Sequence, residues 1–401
     1  MVTLDRGLTV ALALSTLVAC SSAGGSGGAS TLDGNTGGSV SSSGGAPGSA
    51  GLTGAGGSGS PGAGGIVSSG GGGNAGGTTG GTTGAGGVVS ASGGSGGAAL
   101  PPPDLSHTFD PITITANSEI PQTCQSWTLN NDQPLNVNTV ISTNLGKFHH
   151  SNWIWVPDTL YTGPDGTWNC SDRGFDQIIA GAAGGVFFAQ STQATADKQS
   201  FPAGVAFQVP AHIRIIGNVH LLNTSDTDAT TSLTLNVYTL PTADVKTQLQ
   251  PMAYTNLSLD IAPGTTTHAH MQCATPQPDF DIYYILPHYH ILGTGMEITV
   301  AGGGMDGTRI FQSSMGYGES VGQMFDPPIH VTGALGLGIT CDYQSDRTST
   351  VHYGEGDQEM CVSLIYSTGK KAGGETIGAP TITDVSGAHD TDSVCIAVGS
   401  P

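Results

Sequence analysis

The chain has 401 residues and a formal net charge of -20 at pH 7, with ten Lys plus Arg against thirty Asp plus Glu. A chain this acidic has no basic run that could neutralise phosphates, which excludes a nucleic-acid partner. Much of the glycine, 64 residues in all, lies before residue 103, so averages over the whole chain do not describe its remainder.

The first twenty residues are typical of an export signal. Arg6 ends a short polar start, an apolar stretch follows, and Leu17-Val18-Ala19-Cys20 closes it. The stretch is too short to span a bilayer as a mature helix. A cysteine at this junction indicates a bacterial lipoprotein, although an ordinary signal peptide with a chance cysteine would look similar. We therefore expect residues 1–19 to be removed, Cys20 to carry lipid, and the exported chain to be anchored in the outer membrane through that lipid alone.

The residues after Cys20 predict a flexible tether. Residues 20–102 consist almost entirely of Gly, Ser, Ala and Thr, with Asp33 as the only charge and no aromatic residue. Such a segment lacks the apolar surface that would offset the entropy cost of ordering it. We expect a disordered linker that separates the lipid from the folded part.

The rest of the chain carries the signals of an all-β fold. Its length suits two domains of about 150 residues each. The segments Ser232–Tyr238 and Asn256–Ile261 alternate strictly between apolar and polar residues, which indicates half-buried strands. We predict two tandem antiparallel β-sandwich domains of jelly-roll type, residues 103–245 and 246–401, with the boundary in the polar stretch from Pro241 to Pro251.

Cysteine counting supports the exported location. The chain has seven cysteines, and six remain if Cys20 is lipidated. An even number in an exported chain predicts disulfides, but six cysteines allow fifteen connectivities, among which the residues do not choose.

Histidine is unusually frequent, with twelve residues, and several lie close together. His149 and His150 are adjacent, His220 ends a strand-like run, and His288 and His290 form an HxH. Residues i and i+2 of a strand share a face, so an HxH can place two imidazoles on one metal. Adjacent histidines share a metal only where the strand is distorted or ends. Each pattern alone is more often a surface or hydrogen-bonded pair.

A later segment gives these histidines a common context. Glu359-Met360-Cys361 lies near the end of the chain, and the residues from His288 to Gly293 read His-x-His-x-Leu-Gly. With the His149-His150 pair and Asn218-Val219-His220, the pattern resembles the copper type II, ascorbate-dependent monooxygenases, the peptidylglycine- and dopamine-hydroxylating enzymes. The resemblance covers about residues 108–397.

The resemblance implies two copper ions per chain, at two separate points across an open cleft between the two domains. One ion is held by His149, His150 and His220 and delivers an electron. The other is held by the catalytic set His288, His290 and Met360, which binds and activates O2. Imidazole suits both common oxidation states of copper, whereas a thioether favours Cu(I). Without this context Met360 would be interpreted as a core residue that fills a gap. The implied reaction is hydroxylation of a C–H bond with O2 and ascorbate or a similar donor.

Family positions also imply a disulfide pairing. Cys124 pairs with Cys170 in the first domain, and in the second domain Cys273 pairs with Cys395 and Cys341 with Cys361. This pairing uses all six cysteines and agrees with the separate assignment of Cys20 to lipid.

The chain departs from the peptidylglycine enzymes at the substrate pocket. Those enzymes bind the substrate carboxylate with an Arg two residues before the HxH, where this chain has Leu286. Polar residues shortly after the Met-Cys pair are replaced by Val362 and Leu364. Together with Asn218, these residues predict a pocket without a carboxylate clamp, for a small and mainly apolar molecule.

Three other interpretations remain. A copper-binding envelope lipoprotein that captures or buffers the metal would need the same ligands but no substrate cavity. A structural β-sandwich adhesin would make the histidines incidental. A zinc hydrolase is disfavoured, because zinc seldom takes Met and the chain has no HExxH. The second HxH, His268 and His270, has no role in the family, and we expect an exposed strand end rather than an accessory metal site.

Overall fold

A computed structural model describes residues 101–275, 277–316, 321–370, 381–385 and 388–399. The predicted signal peptide, the lipidated Cys20 and all but the last two residues of the predicted linker lie outside the described residues. No helix in the described ranges is long and apolar enough to cross a membrane.

More than half of the described residues lie in strands, and few lie in helices. The strands are β1 Leu105–Thr108, β2 Ile112–Ile114, β3 Ser118–Thr128, β4 Leu135–Asn144, β5 Phe148–Pro157, β6 Gly166–Asn169, β7 Gly185–Gln190, β8 Ala196–Ser200, β9 Val205–Val209, β10 Ile213–Asn223, β11 Ala229–Thr231, β12 Leu233–Leu240, β13 Thr247–Asn256, β14 Asp260–Ile261, β15 Thr266–Ala274, β16 Phe280–His288, β17 Gly293–Ala301, β18 Arg309–Ser313, β19 Gln323–Val331, β20 Gly336–Gln344, β21 Val351–His352, β22 Val362–Ser367, β23 Thr381–Val385 and β24 Ala388–Gly399. The helical segments are α1 Gln177–Ala183 and three 3-10 turns, Cys170–Arg173, Thr242–Asp244 and Gly303–Met305. The prediction of an all-β fold is confirmed.

The strands pair mostly antiparallel and build a sandwich-like arrangement of sheets. One sheet has the order β6-β3-β10-β5-β7, and a larger sheet contains fifteen strands. Within the larger sheet, β13 pairs in parallel with β9 and antiparallel with β22 and β24. Strand β13 therefore joins the strands that precede it in the chain to those that follow.

The core consists of two large clusters of buried side chains. The first surrounds Trp153 and Phe187 and also includes Leu286 and Tyr366 from later in the chain. The second lies between β15, β16, β17 and β20 around Met271 and Tyr343. All of these residues belong to one compact unit, and the domain boundary at residues 245/246 stays a prediction.

One predicted strand is replaced by a turn. The alternating segment 256–261 contributes only the last residue of β13 and the two residues of β14. Asn256 Oδ1 accepts a hydrogen bond from the backbone N–H of Ser258 at 3.0 Å, a local contact that competes with strand pairing. The other alternating segment lies in β12 as predicted, apart from its first residue.

Three disulfides are formed, with the connectivity that the resemblance implies. The Cα–Cα distances are 5.0 Å for Cys124–Cys170, 5.3 Å for Cys273–Cys395 and 5.8 Å for Cys341–Cys361. These separations lie within the usual disulfide range. The three bonds indicate an oxidising, extracytoplasmic environment.

Gly217 lies against the ring of Trp153, which leaves no room for a larger side chain. It pairs with Trp153 across β10 and β5, and an added Cβ would lie 2.5 Å from the buried Trp153 ring. We expect Gly217→Ala to lower the free energy of unfolding by about 1–3 kcal/mol, because the ring cannot move without disturbing the core. Gly304→Ala is the control, since an added Cβ there has no atom within 4 Å among the described residues. Chemical unfolding that finds both variants equally stable would contradict this account.

Asp197 on β8 predicts a pH dependence of stability. Burial raises the pKa of Asp197 to about 6, although the Lys198 N–H lowers it. The native state therefore holds this proton more tightly than the unfolded chain, so its stabilising effect is present below the unfolded pKa and is lost as the pH rises through 6. Asp197→Asn does not have this pH dependence. We therefore expect its free energy of unfolding, relative to that of the natural chain, to rise by about 1–3 kcal/mol from about pH 4 to about pH 8. Thermal unfolding of both proteins at the two pH values measures this change. A difference in stability between the two proteins that is the same at both pH values would contradict the prediction.

Candidate metal centre

Strands β5 and β10 place three of the predicted ligands side by side. His220 pairs directly with His150, and Leu221 then pairs with Phe148, so His149 is the extra residue of a β-bulge. A bulge redirects side chains that would otherwise alternate between the two faces. The distortion expected from two adjacent histidines is therefore present, and it turns both imidazoles toward His220. The ring centroid of His220 lies 4.9 Å from that of His149 and 4.8 Å from that of His150.

The second HxH lies at the end of β16. His288 is the last residue of the strand, opposite Val362 of β22, and His290 follows in a turn closed by the Gly293 N–H. Glu359 fixes this turn, because its carboxylate accepts hydrogen bonds from the backbone N–H of His290 at 2.9 Å and of Leu292 at 2.7 Å. Burial raises the pKa of Glu359 to about 7, although those N–H groups lower it. The HxH turn and the segment that carries Met360 are thus joined in one local unit.

Both imidazoles of the HxH have one nitrogen engaged and the other free for a ligand. His290 Nδ1 donates to the carbonyl oxygen of Gln358 at 2.8 Å, and His288 Nδ1 lies 3.0 Å from Ser191 Oγ. The Nε2 atoms of both rings are buried and have no hydrogen-bond partner among the described residues. A hydrogen-bonded Nδ1 with a free Nε2 is the usual arrangement of a metal-ligating histidine.

The five histidines lie together in two overlapping groups. The first group is His149, His150 and His220, and the second group is His150, His288 and His290. Within each group one nitrogen per ring lies within 4.8 Å of the others. The nitrogens that bind one ion lie roughly 3–4 Å apart, so each group is compact enough to hold an ion after small side-chain movements.

The arrangement differs from the two separate sites across an open cleft that the sequence predicts. The His150 ring lies 5.1 Å from that of His288 and 5.6 Å from that of His290. Hydrogen bonds between early and late parts of the chain close the cleft, among them the contact of Ser191 with His288. The five histidines therefore lie together in one region rather than at two separate points.

The environment keeps the imidazoles neutral. Burial lowers the pKa of His149 and of His220 to about 4 and that of His288 to about 3. Burial also lowers the pKa of His290, and burial together with the four surrounding imidazoles lowers the pKa of His150 well below its usual value. At neutral pH all five rings have a lone pair that can bind a metal, because neutral imidazole is the ligating form.

Met360 lies at the same place. Its side chain is 5% exposed and lines a cavity together with His288. Its backbone is held on both sides: the carbonyl oxygen accepts the Tyr343 hydroxyl at 2.7 Å, and the next residue, Cys361, is bonded to Cys341. The predicted thioether ligand is thus buried beside the second group.

The cavity beside Met360 contains the predicted substrate residues. It has about 710 Å³ of space not occupied by atoms, open solvent at its mouth included, and Leu286, Val362 and Leu364 all line it. The described lining residues include no Lys, Arg, Asp or Glu. Asn218 does not line this cavity but a neighbouring polar one, where its amide contacts Glu355 at 3.5 Å.

Four polar residues of the centre were not predicted from the sequence. Ser191 and Gln358 contact the rings of the HxH through hydrogen bonds. Glu355 accepts hydrogen bonds from side-chain amides of residues that come earlier in the chain, among them Gln122. Glu119 Oε1 lies 3.0 Å from His220 Nε2. Ser191 and Glu119 have no motif around them. Glu355 and Gln358 lie in the segment before Met360, and that position was the only available signal.

The second HxH lies apart from the centre. His268 Nδ1 is hydrogen-bonded to Asp342 at 2.6 Å and His270 Nδ1 to Thr340 at 2.9 Å, both on the neighbouring strand β20. The side chain of His268 is 45% exposed. Neither residue belongs to a histidine group among the described residues. Both lie within β15 rather than at its end and are partly buried, so the expectation of an exposed strand end is wrong.

No family model and no curated protein matches the chain. Among solved structures, it is similar to the naturally occurring empty particle, or top component, of Cowpea mosaic virus. The TM-score is 0.27, the identity is 11%, and the alignment covers 70% of this chain and 94% of that chain. A similarity of this size carries no argument, so the centre is interpreted from its own residues.

Proposed function

We propose that this protein is a copper-dependent monooxygenase that hydroxylates a C–H bond of a small, mainly apolar molecule, using O2 and ascorbate or a similar reductant. The observation that carries the proposal is the juxtaposition of neutral, buried histidines with Met360 at the wall of an apolar cavity. The residue pattern that resembles the copper type II monooxygenases supplies the reaction class. Lipid attachment at Cys20 and location in the outer membrane belong to the same proposal.

The donor set fits copper. Imidazole binds both common oxidation states, and a thioether favours the reduced state. The free Nε2 atoms of His288 and His290 are buried polar atoms whose burial is unfavourable without a partner, and a bound metal would satisfy them. Copper, when bound, supplies the one-electron chemistry and the reactivity with O2.

The protein's own residues position these groups and select the substrate. Gln358 and Ser191 fix the orientation of the two HxH rings. Leu286, Val362 and Leu364 provide an apolar wall next to His288, which favours an apolar substrate and excludes water. Because the described lining has no cationic side chain, a substrate carboxylate would find no partner.

The cavity separates this function from copper capture. A protein that only stores or buffers copper needs the ligands but no apolar space beside them. We propose that the cavity is the substrate site, so a mainly apolar molecule should compete for it.

The test is oxygen uptake by the full chain loaded with copper, with ascorbate as reductant. A phenylethylamine-type compound and other small aromatic molecules should raise uptake above background, and a glycine-extended peptide should not. Rapid hydroxylation of the peptide would overturn the pocket interpretation. Bound copper with background uptake for every compound would favour the copper-binding lipoprotein instead.

A further inference from the structure

We infer that Glu119 is a fourth ligand of the ion at the first histidine group, so that three imidazoles and one carboxylate bind this ion. The inference deepens the proposed function and rests on it only for the identity of the metal. It adds a donor that the resemblance does not assign, since the site implied there consists of His149, His150 and His220 alone.

The strand register places Glu119 beside His220. Strand β10 lies between β3 and β5 in the five-stranded sheet. Glu119 of β3 pairs with Leu222 of β10, and His220 lies two residues before Leu222 on the same face of its strand. Glu119 and His220 are therefore diagonal neighbours, which long side chains can bring into contact. Three adjacent strands thus carry donors to one place, since β5 supplies His149 and His150.

The contact between the two side chains has the geometry of two ligands of one ion. Glu119 Oε1 lies 3.0 Å from His220 Nε2, yet this nitrogen has no hydrogen-bond partner among the described residues. The oxygen is thus at contact distance but outside the direction in which the ring would donate. Two donors that each lie about 2 Å from an ion are roughly 3–3.5 Å apart, and neither points at the other.

The contact is not an ion pair either. Burial lowers the pKa of His220 to about 4, so the ring carries no charge at neutral pH. A carboxylate and a neutral ring have no attraction between opposite charges, and within the described ranges Glu119 has no Lys or Arg partner. A bound cation would give both Glu119 and the Nε2 atom of His220 a partner.

The carboxylate also acts on the neighbouring ring. Burial, with the imidazoles of His220 and His290, lowers the pKa of His149 to about 4, whereas the charge of Glu119 raises it. Glu119 belongs to neither histidine group, so its oxygen must move toward His149 and His150 when the ion binds. The Glu119 side chain is 44% exposed, which leaves it room to do so.

A fourth donor of this kind sets the direction of electron transfer. Nitrogen and oxygen donors together suit Cu(II), whereas the thioether of Met360 favours Cu(I). The ion at Glu119 should therefore have the lower reduction potential of the two. One electron then leaves this ion, which goes from Cu(I) to Cu(II), and passes to the second group. That is the direction that the proposed function requires.

The experiment is a pair of competition titrations of the full chain, one with Cu(II) and one with Cu(I), without O2 or substrate. In Glu119→Gln, one ion should lose Cu(II) affinity by on the order of tenfold or more and lose less Cu(I) affinity. A tenfold difference between the two losses raises the reduction potential of that ion by about 59 mV, which a redox titration measures. Unchanged Cu(II) affinity in a variant that is folded by circular dichroism would overturn the inference.

Two further variants separate a ligand from a charge that acts at a distance. Glu119→Asp keeps the charge on a side chain that is one methylene shorter, so a ligand is lost and Cu(II) affinity should fall here too. Asp357→Asn is the control, since it removes one charge from a side chain that is 91% exposed and lies near Arg347; both ions should keep their affinity. Full Cu(II) affinity in Glu119→Asp would refute the ligand, and so would an equal loss in Asp357→Asn.

A double variant shows which ion Glu119 binds. Glu119→Gln should weaken the ion that Met360→Ala leaves unchanged, and the double variant should show the sum of both losses, as independent sites do. If the two single variants weaken the same ion, the assignment of Glu119 to the first group is wrong.

Failure of this inference is distinguishable from failure of the proposed function. Loss of Cu(II) affinity in Glu119→Gln, without hydroxylation of any substrate by the natural chain, would leave the ligand standing and remove the monooxygenase activity. Hydroxylation by the natural chain, with unchanged Cu(II) affinity in Glu119→Gln, would do the opposite.

Discussion

Replacing Met360 with alanine is expected to reduce substrate hydroxylation by on the order of a hundredfold or more, because even residues that only support metal ligands cost ten- to a hundredfold when removed. The thioether is the one soft donor that the resemblance assigns to the O2-reactive ion, and its loss removes the preference for Cu(I) at the second group. A Cu(I) competition titration should show one ion bound with lower affinity and the other bound with unchanged affinity.

The control for this variant is Met315→Ala. Met315 is 41% exposed, and it contacts Tyr289 through its backbone oxygen, which the substitution leaves in place. This variant should retain full copper binding and activity. A Met360→Ala protein with full copper content and full activity would show that the role given to Met360 is wrong.

Removal of the Cys273–Cys395 disulfide is expected to cause the largest loss of stability among the three bonds. It joins residues 122 positions apart, and a longer closed loop restricts the unfolded chain more. Replacing both cysteines with alanine should lower the free energy of unfolding by about 2–5 kcal/mol, as measured by guanidinium unfolding.

The comparison is with the Cys341–Cys361 bond, which spans 20 residues. Its removal should cost about 1–2 kcal/mol less in the same assay, from the dependence of loop entropy on length. The reverse order would contradict the loop-entropy account and show that local packing around Met360 dominates.

The strand content was predictable because alternation between apolar and polar residues is a local property. Ser232–Tyr238 lies almost wholly in β12 for that reason. The similar pattern at 256–261 failed because Asn256 bonds to the backbone of Ser258 and begins a turn. Side-chain contacts of this kind compete with strand pairing and are not visible in the alternation.

The histidines that lie together were predictable as a set, whereas their arrangement was not. The adjacent His149 and His150 imply a distorted strand, and the bulge supplies it. The distance from His150 to His288 depends instead on long-range contacts. One of them joins Ser191 to His288, two residues that are 97 positions apart in the chain. No local pattern specifies how far two such segments close on each other.

The most direct test of the proposed function is the source of the oxygen atom in the product. The full chain, loaded with copper and reduced with ascorbate, is given a small aromatic substrate under isotopically labelled O2, and the product is analysed by mass spectrometry. We expect one labelled oxygen atom per hydroxylated molecule, with product formation that depends on Met360. A protein that binds copper but forms no labelled product from any small apolar compound would contradict the account.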